Sequence, residues 1–137
     1  MLKNLPKKVK IVEVGPRDGL QNEKMVVKTE DKIKFILLLG ESGLSHIEVT
    51  SFVRPDKIPQ MTDAKEVVEA LYKTDLKDRV NLSCLIPNLK GLEIAAGLGV
   101  KEIAVFSSTS DSFNKRNINS TVEESLAVIK PVMVESL

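Results

Sequence analysis

Three charged residues stand where an α/β chain does chemistry. Arg17 and Asp18 lie in the run Gly15-Pro16-Arg17-Asp18-Gly19 that follows a β-type segment, and Glu48 is set between Ile47 and Val49 in a second one. A short turn holding Arg beside Asp presents a carboxylate that suits a hard divalent cation, which takes oxygen ligands. The same turn presents a guanidinium able to stabilise an oxyanion developing next to that cation. A structural ion pair is the plain alternative, because Asp and Gly are ordinary turn residues. Glu48 is the sharper signal. A carboxylate inside an apolar strand must be paired or functional, since burying an isolated charge is costly, and Arg17 is the obvious partner. Periodicity does not fix which face Glu48 takes.

Other candidates carry less. His46, two positions before Glu48, shares its face in an extended strand, and a lone strand histidine is more often packed than a ligand. Cys84 lies among Leu82, Leu85 and Ile86 with no partner near it, which reads as a small buried hydrophobe. The stretch from Ser107 to Asn119 is dense in hydroxyls and amides and carries Lys115 and Arg116. It reads as a polar loop, solvated or in contact with a phosphorylated ligand.

The elements that must position these residues alternate. Lys8 to Val14 has a strand's pattern and stops at Gly15-Pro16. Thr29 before Glu30-Asp31 predicts a capped helix that runs to Gly40 and Gly43. His46 to Thr50 predicts a second strand, and Asp63 with Glu66 has capping-box spacing ahead of a helix from Ala64 to Tyr72. A third strand is expected over Val80 to Ile86, then a short helix capped by Asn88 and closed by Gly97 and Gly99. A fourth strand is expected over Glu102 to Phe106, and Ser120 with Glu123 before a final helix. Four βα units imply a parallel sheet with right-handed crossovers, either doubly wound or part of a barrel. No G-x-G-x-x-G follows the first strand and no phosphate-binding G-x-x-x-x-G-K-[ST] occurs, which removes the main signals of nucleotide-binding sheets. The collection of polar groups where strands end favours part of a (β/α)8 barrel, whose catalytic groups sit at that C-terminal rim.

Composition bounds the rest. With 137 residues, the chain falls well short of the roughly 250 that a closed barrel needs. Twenty Lys and Arg oppose 19 Asp and Glu, a net charge of +1, which argues against a nucleic-acid-coating or membrane-hugging surface. One cysteine and one histidine exclude an internal disulfide, a Cys-rich zinc site and a His-pair metal site within these residues. No apolar run approaches a membrane span, and the first ten residues, MLKNLPKKVK, lack the core of a secretory signal and the Arg and Ser of a transit peptide. A cytoplasmic setting is expected.

Four segments carry a resemblance. VKIVEVGPRDGLQNE (Val9 to Glu23), GLSHIEVTSFVRPDKIPQM (Gly43 to Met61), PNLKG (Pro87 to Gly91) and NKRNIN (Asn114 to Asn119) together resemble the N-terminal part of the hydroxymethylglutaryl-CoA lyase family. The likeness runs from about Val9 to Leu126. It implies that residues 1–137 form the N-terminal half of a barrel lyase domain. The implied reaction is cleavage of 3-hydroxy-3-methylglutaryl-CoA to acetoacetate and acetyl-CoA, as in leucine breakdown and ketone-body formation. By resemblance, Asp18 is a ligand to Mg²⁺ or Mn²⁺, Arg17 polarises the substrate carbonyl and stabilises the enolate, and Glu48 orients Arg17. Ser51 and Asn117 lie near the acyl-CoA, with Gln21 a weaker candidate for the same pocket.

The family's metal-ligating histidines, an asparagine ligand and a catalytic cysteine belong to the barrel's second half, so His46 and Cys84 are not those residues. The expected partner is a small acyl-CoA molecule, with neither nucleic acid nor membrane. Two other readings stand beside this one: a condensing synthase of the same superfamily, and a non-catalytic half-barrel that associates with a second copy or with a separate second half through its exposed sheet edges.

Overall fold

Parallel strands cannot be joined by hairpins, so each pair needs a crossover, and the crossovers here are helices. The structure is a computed structural model that describes residues 5–136. Strands β1 (His46–Ser51), β2 (Asn81–Leu85) and β3 (Glu102–Ala104) form a parallel sheet in that spatial order. Helix α1 (Thr29–Glu41) leads into β1, and α2 (Ala64–Leu71) with the short α3 (Leu76–Arg79) joins β1 to β2. Helix α4 (Leu89–Gly97) joins β2 to β3, and α5 (Asp111–Ile118) and α6 (Val122–Glu135) follow.

One face of the sheet carries the core. Ile47, Val49, Leu82 and Cys84 pack with Ile36 of α1, Val67, Val68 and Leu71 of α2, Leu76 of α3, Ala95 of α4 and Val132 of α6. A doubly wound sheet carries helices on both faces, whereas this packing is that of a barrel wall. The fold is a partial (β/α) barrel. Because strand side chains alternate, Glu48 and Ser83 point the other way from Ile47 and Leu82. The register sets Glu48 beside Ser83 and Ser83 beside Glu102, so one polar row crosses the inner face. A bulge between Glu48 and Thr50 then shifts the pairing, and Ser51 meets Leu85.

Several expectations are corrected. The first predicted strand, Lys8 to Val14, is reduced to a bridge between Glu13 and Ile47. It has β1 on one flank only, and Val9 and Ile11 remain 72% and 64% exposed, so little burial holds it flat. Among the described residues, three strands are therefore formed where four were expected. Thr29 does not cap α1: it is the helix's first residue, and its hydroxyl donates to Asp63 Oδ2 at 2.8 Å. Asp63 does precede α2, but without a capping bond, because its carboxylate is taken by Thr29 and Lys32. Asn88 caps α4 as expected, its Oδ1 accepting from the Gly91 N–H at 3.1 Å. The last helix is capped one residue later than Ser120 and Glu123 implied, by a capping box of Thr121 and Glu124. The expected loop from Ser107 to Asn119 contains α5.

Candidate active site

The Gly15–Gly19 segment is a π-helical turn at the C-terminal rim of the sheet. The backbone N–H groups of Arg17, Asp18 and Gly19 all point to the Val14 carbonyl, at 3.1, 2.6 and 3.4 Å. Pro16 is buried and fixes its own φ, and the Asn22 side chain donates to the Asp18 carbonyl at 2.7 Å. The turn is thus tied at both ends, which a site residue needs if its reach is to be reproducible.

Arg17 projects from this turn onto β1. Its Nε donates to Glu48 Oε1 and its Nη1 donates to Asp18 Oδ1 at 2.7 Å, so one guanidinium bridges two carboxylates. Burial grades across the trio: the Glu48 side chain is 7% exposed, Arg17 16% and Asp18 53%. The deep carboxylate satisfies the cation and the shallow one faces the rim. This answers the question periodicity left open, since Glu48 lies on the inner face.

The remaining candidates are less closely joined. Ser51 ends β1, is fully buried, and donates its hydroxyl to the Leu85 carbonyl at 3.2 Å. Gln21 is half-buried just past the Gly15–Gly19 turn, and Asn117 is exposed on α5. Among the described residues, neither is hydrogen-bonded to Arg17, Asp18 or Glu48. His46 begins β1, at the end opposite the rim. It lies 3.0 Å from Ser45 Oγ through Nδ1 and accepts from Asn81 Nδ2 at 3.0 Å through Nε2. Cys84 is buried on the helix-facing side, and burial together with the charge of Glu48 pushes its thiol up to about 12. It is a packed group, not a nucleophile at neutral pH.

Two polar constellations were not visible as such in the sequence. Lys32 and Asp63 pair under the rim, and Asn114 is fully buried against Ser107, Ser108 and Ser125. For Asn114, Ser110 three residues ahead of Phe113 was the available signal, because its hydroxyl caps α5 by accepting the Phe113 N–H at 3.4 Å.

A one-faced parallel βα layer with Arg, Asp and Glu gathered at its C-terminal rim defines the class: part of a (β/α) barrel. The chain belongs to the HMGL-like family, whose model matches residues 8–135. It is 55% identical over 121 residues to a mitochondrial hydroxymethylglutaryl-CoA lyase of Pongo abelii, covering 88% of this chain and 36% of that protein. It is 51% identical over 132 residues to a cytoplasmic 3-hydroxy-3-methylglutaryl-CoA lyase of Rattus norvegicus, covering 96% of this chain and 38% of that one. Its structure matches that of an HMG-CoA lyase from Acinetobacter baumannii solved with coenzyme A and 3-methylmalate. That match has a TM-score of 0.82 and 35% identity, and covers 90% of this chain and 40% of that one. The chain therefore spans about two fifths of the length of the proteins it matches.

Proposed function

We propose that residues 1–137 supply the N-terminal half of the catalytic barrel of a hydroxymethylglutaryl-CoA lyase. The single observation that carries this is Arg17 bridging buried Glu48 and rim-exposed Asp18, in a chain half identical to enzymes of that name. In the reaction, a base takes the proton of the substrate's tertiary hydroxyl, that carbon becomes the ketone of acetoacetate, and the broken C–C bond's electrons pass to the thioester enolate. Protonation of that enolate gives acetyl-CoA. Glu48 holds Arg17 by the guanidinium Nε and Asp18 takes Nη1, which leaves Nη2 to meet the thioester oxygen as charge develops there. Ser51, Gln21 and Asn117 are assigned to the acyl-CoA side of the site, in keeping with the coenzyme A bound by the Acinetobacter enzyme.

A divalent cation, Mg²⁺ or Mn²⁺, fits the donor present. Asp18 is half-exposed, and Arg17 engages only one of its two carboxylate oxygens. When bound, such an ion would polarise the substrate's oxygens. Such cations take about six oxygen ligands. Among the described residues no cluster of three or more His, Cys, Asp or Glu supplies a full set, so Asp18 would act with substrate, water and residues from beyond this chain. A cytoplasmic setting agrees with the name of one rat relative, while another rat relative and the Pongo abelii protein are named mitochondrial. Association through the open edge is a second reading, favoured by the exposure of Val9 and Ile11 on the segment that only bridges β1; a dimeric or larger mass in solution would support it.

The deciding experiment joins this chain to the remaining length of a close relative and assays thioester cleavage with Mg²⁺. Cleavage that falls by about 10²-fold or more in Arg17→Gln supports the proposal. A hybrid that folds yet is inert, or that condenses acetyl-CoA with a 2-oxo acid, overturns it.

A further inference from the structure

We infer that Glu13 is a positioning residue, and that by accepting the Gly15 N–H it sets the turn that lays Arg17 on Glu48. This rests on the proposed function only for what Arg17 does; where Arg17 lies does not depend on it.

Glu13 is fastened to β1 on both sides of Ile47. Its N–H donates to the His46 carbonyl at 3.0 Å and its carbonyl accepts from the Glu48 N–H at 2.8 Å. The same residue reaches forward: its Oε1 accepts from the Gly15 N–H at 2.6 Å. One residue thus connects the backbone of Glu48 to the first residue of the turn that carries Glu48's partner. The contact explains the glycine as well. A Cβ on Gly15 would stand 2.8 Å from Glu13 Oε1, with nothing else closer than 3.7 Å, and Gly15 does not adopt a positive φ. The backbone there would tolerate alanine; only the carboxylate would have to leave. Gly15 is small so that Glu13 can reach its N–H.

The test uses the whole 137-residue chain and the Arg17 Nε–Hε signal in ¹⁵N-resolved spectra, identified by its loss in Arg17→Lys. Loss of one positioning hydrogen bond should speed solvent exchange of that proton by about five- to tenfold in Glu13→Ala and equally in Gly15→Ala. Glu13→Gln keeps an acceptor oxygen at the same reach and should stay near the parent. Val67→Ala, which creates a cavity in the core against α2, controls for general loosening. The inference is overturned if Gly15→Ala leaves the signal unchanged, or if Val67→Ala speeds exchange as much. Should Glu13→Ala fail to fold, Gly15→Ala and Glu13→Gln decide alone. Because the readout is Arg17's own proton, a hybrid barrel that lacks lyase activity would overturn the proposed function without touching this result.

Discussion

The Lys32 ammonium lies 2.6 Å from Asp63 Oδ1, and with the lysine only 4% exposed this pair ties α1 to the start of α2. Lys32 also donates to the Gln60 carbonyl, while Gln60 donates to the Glu23 carbonyl at 2.7 Å. The pair therefore braces the segment between the Arg17 turn and α1. The two partners should not be equivalent. Asp63→Ala leaves an ammonium buried with one neutral acceptor and should cost about 3 kcal/mol. Lys32→Met leaves a less buried carboxylate still bonded to Thr29 and should cost about 1 kcal/mol. Urea unfolding of the two variants measures the difference; equal losses would show that stranding the buried ammonium costs no more than stranding the carboxylate.

At the rim, the gradient of burial makes a similar asymmetry. Glu48→Gln and Arg17→Met should each lower stability by about 2–3 kcal/mol, and their double variant by less than the sum, because each alone strands a partner in a poorly solvated place. Asp18→Asn, at the exposed end of the same guanidinium, should change stability by less than about 0.5 kcal/mol. A denaturation series over the four variants checks this, and additive losses for Arg17 and Glu48 would deny the coupling.

The Arg17–Glu48 pair was legible in the sequence because a carboxylate between two aliphatic strand residues demands a cation, and the only question was its face. The alternation of Ile47 and Val49 could not answer that, since it sets Glu48 on the face opposite theirs, and which face meets the helices is decided only by the packing of Ile47 and Val49 with α1 and α2. The segment from Lys8 to Val14 misleads for the opposite reason: its alternation describes two faces, yet a strand also needs neighbours, and only β1 is beside it. Helix α5 escapes sequence reading because Asn114 anchors it through amide and hydroxyl contacts, a packing that hydrophobic periodicity does not register. Asp63 has the spacing of a cap and loses that role to Lys32, a competition across 31 residues that no local rule contains. Of the candidate site residues, Arg17, Asp18 and Glu48 meet, whereas among the described residues Gln21, Ser51 and Asn117 are not hydrogen-bonded to them.

Cys84 gives a pH prediction. Burial, with Glu48 nearby, raises its thiol to about 12, so between the ordinary thiol value of about 8.5 and that point the unfolded chain has lost a proton the folded chain keeps. Stability should therefore fall as pH rises through this window. Cys84→Ala should be less stable than the parent at pH 7 by about 1 kcal/mol from lost packing, with the gap narrowing above pH ~9. Tyr72, whose phenol is raised first by burial and in smaller part by the charge of Cys84, is common to both chains, so the comparison removes all of its effect except the part that Cys84 itself contributes. A gap that stays constant to high pH would contradict the account, as would rapid labelling of the native thiol by a disulfide reagent.

Two helical glycines separate propensity from packing. Gly97, the last residue of α4, faces open space, with nothing within 4 Å of an added Cβ. There the usual gain of alanine over glycine, up to about 1 kcal/mol and less at a helix end, should appear as added stability. Gly40 lies near the end of α1 and is buried. A Cβ there would overlap Leu76 Cδ1, and Leu76 is itself fully buried in the core where α1 and α3 meet. Leu76 can make room only by pressing on the buried cluster it shares with Ile36 and Leu71, so overpacking, at about 1–3 kcal/mol, should outweigh the propensity gain. Gly40→Ala is therefore expected to melt lower than the parent and Gly97→Ala higher. Leu76→Val beside Gly40→Ala should recover part of the loss by removing the clashing methyl group. If Gly40→Ala were stabilising, α1 and α3 would have to be packed less closely than the structure places them.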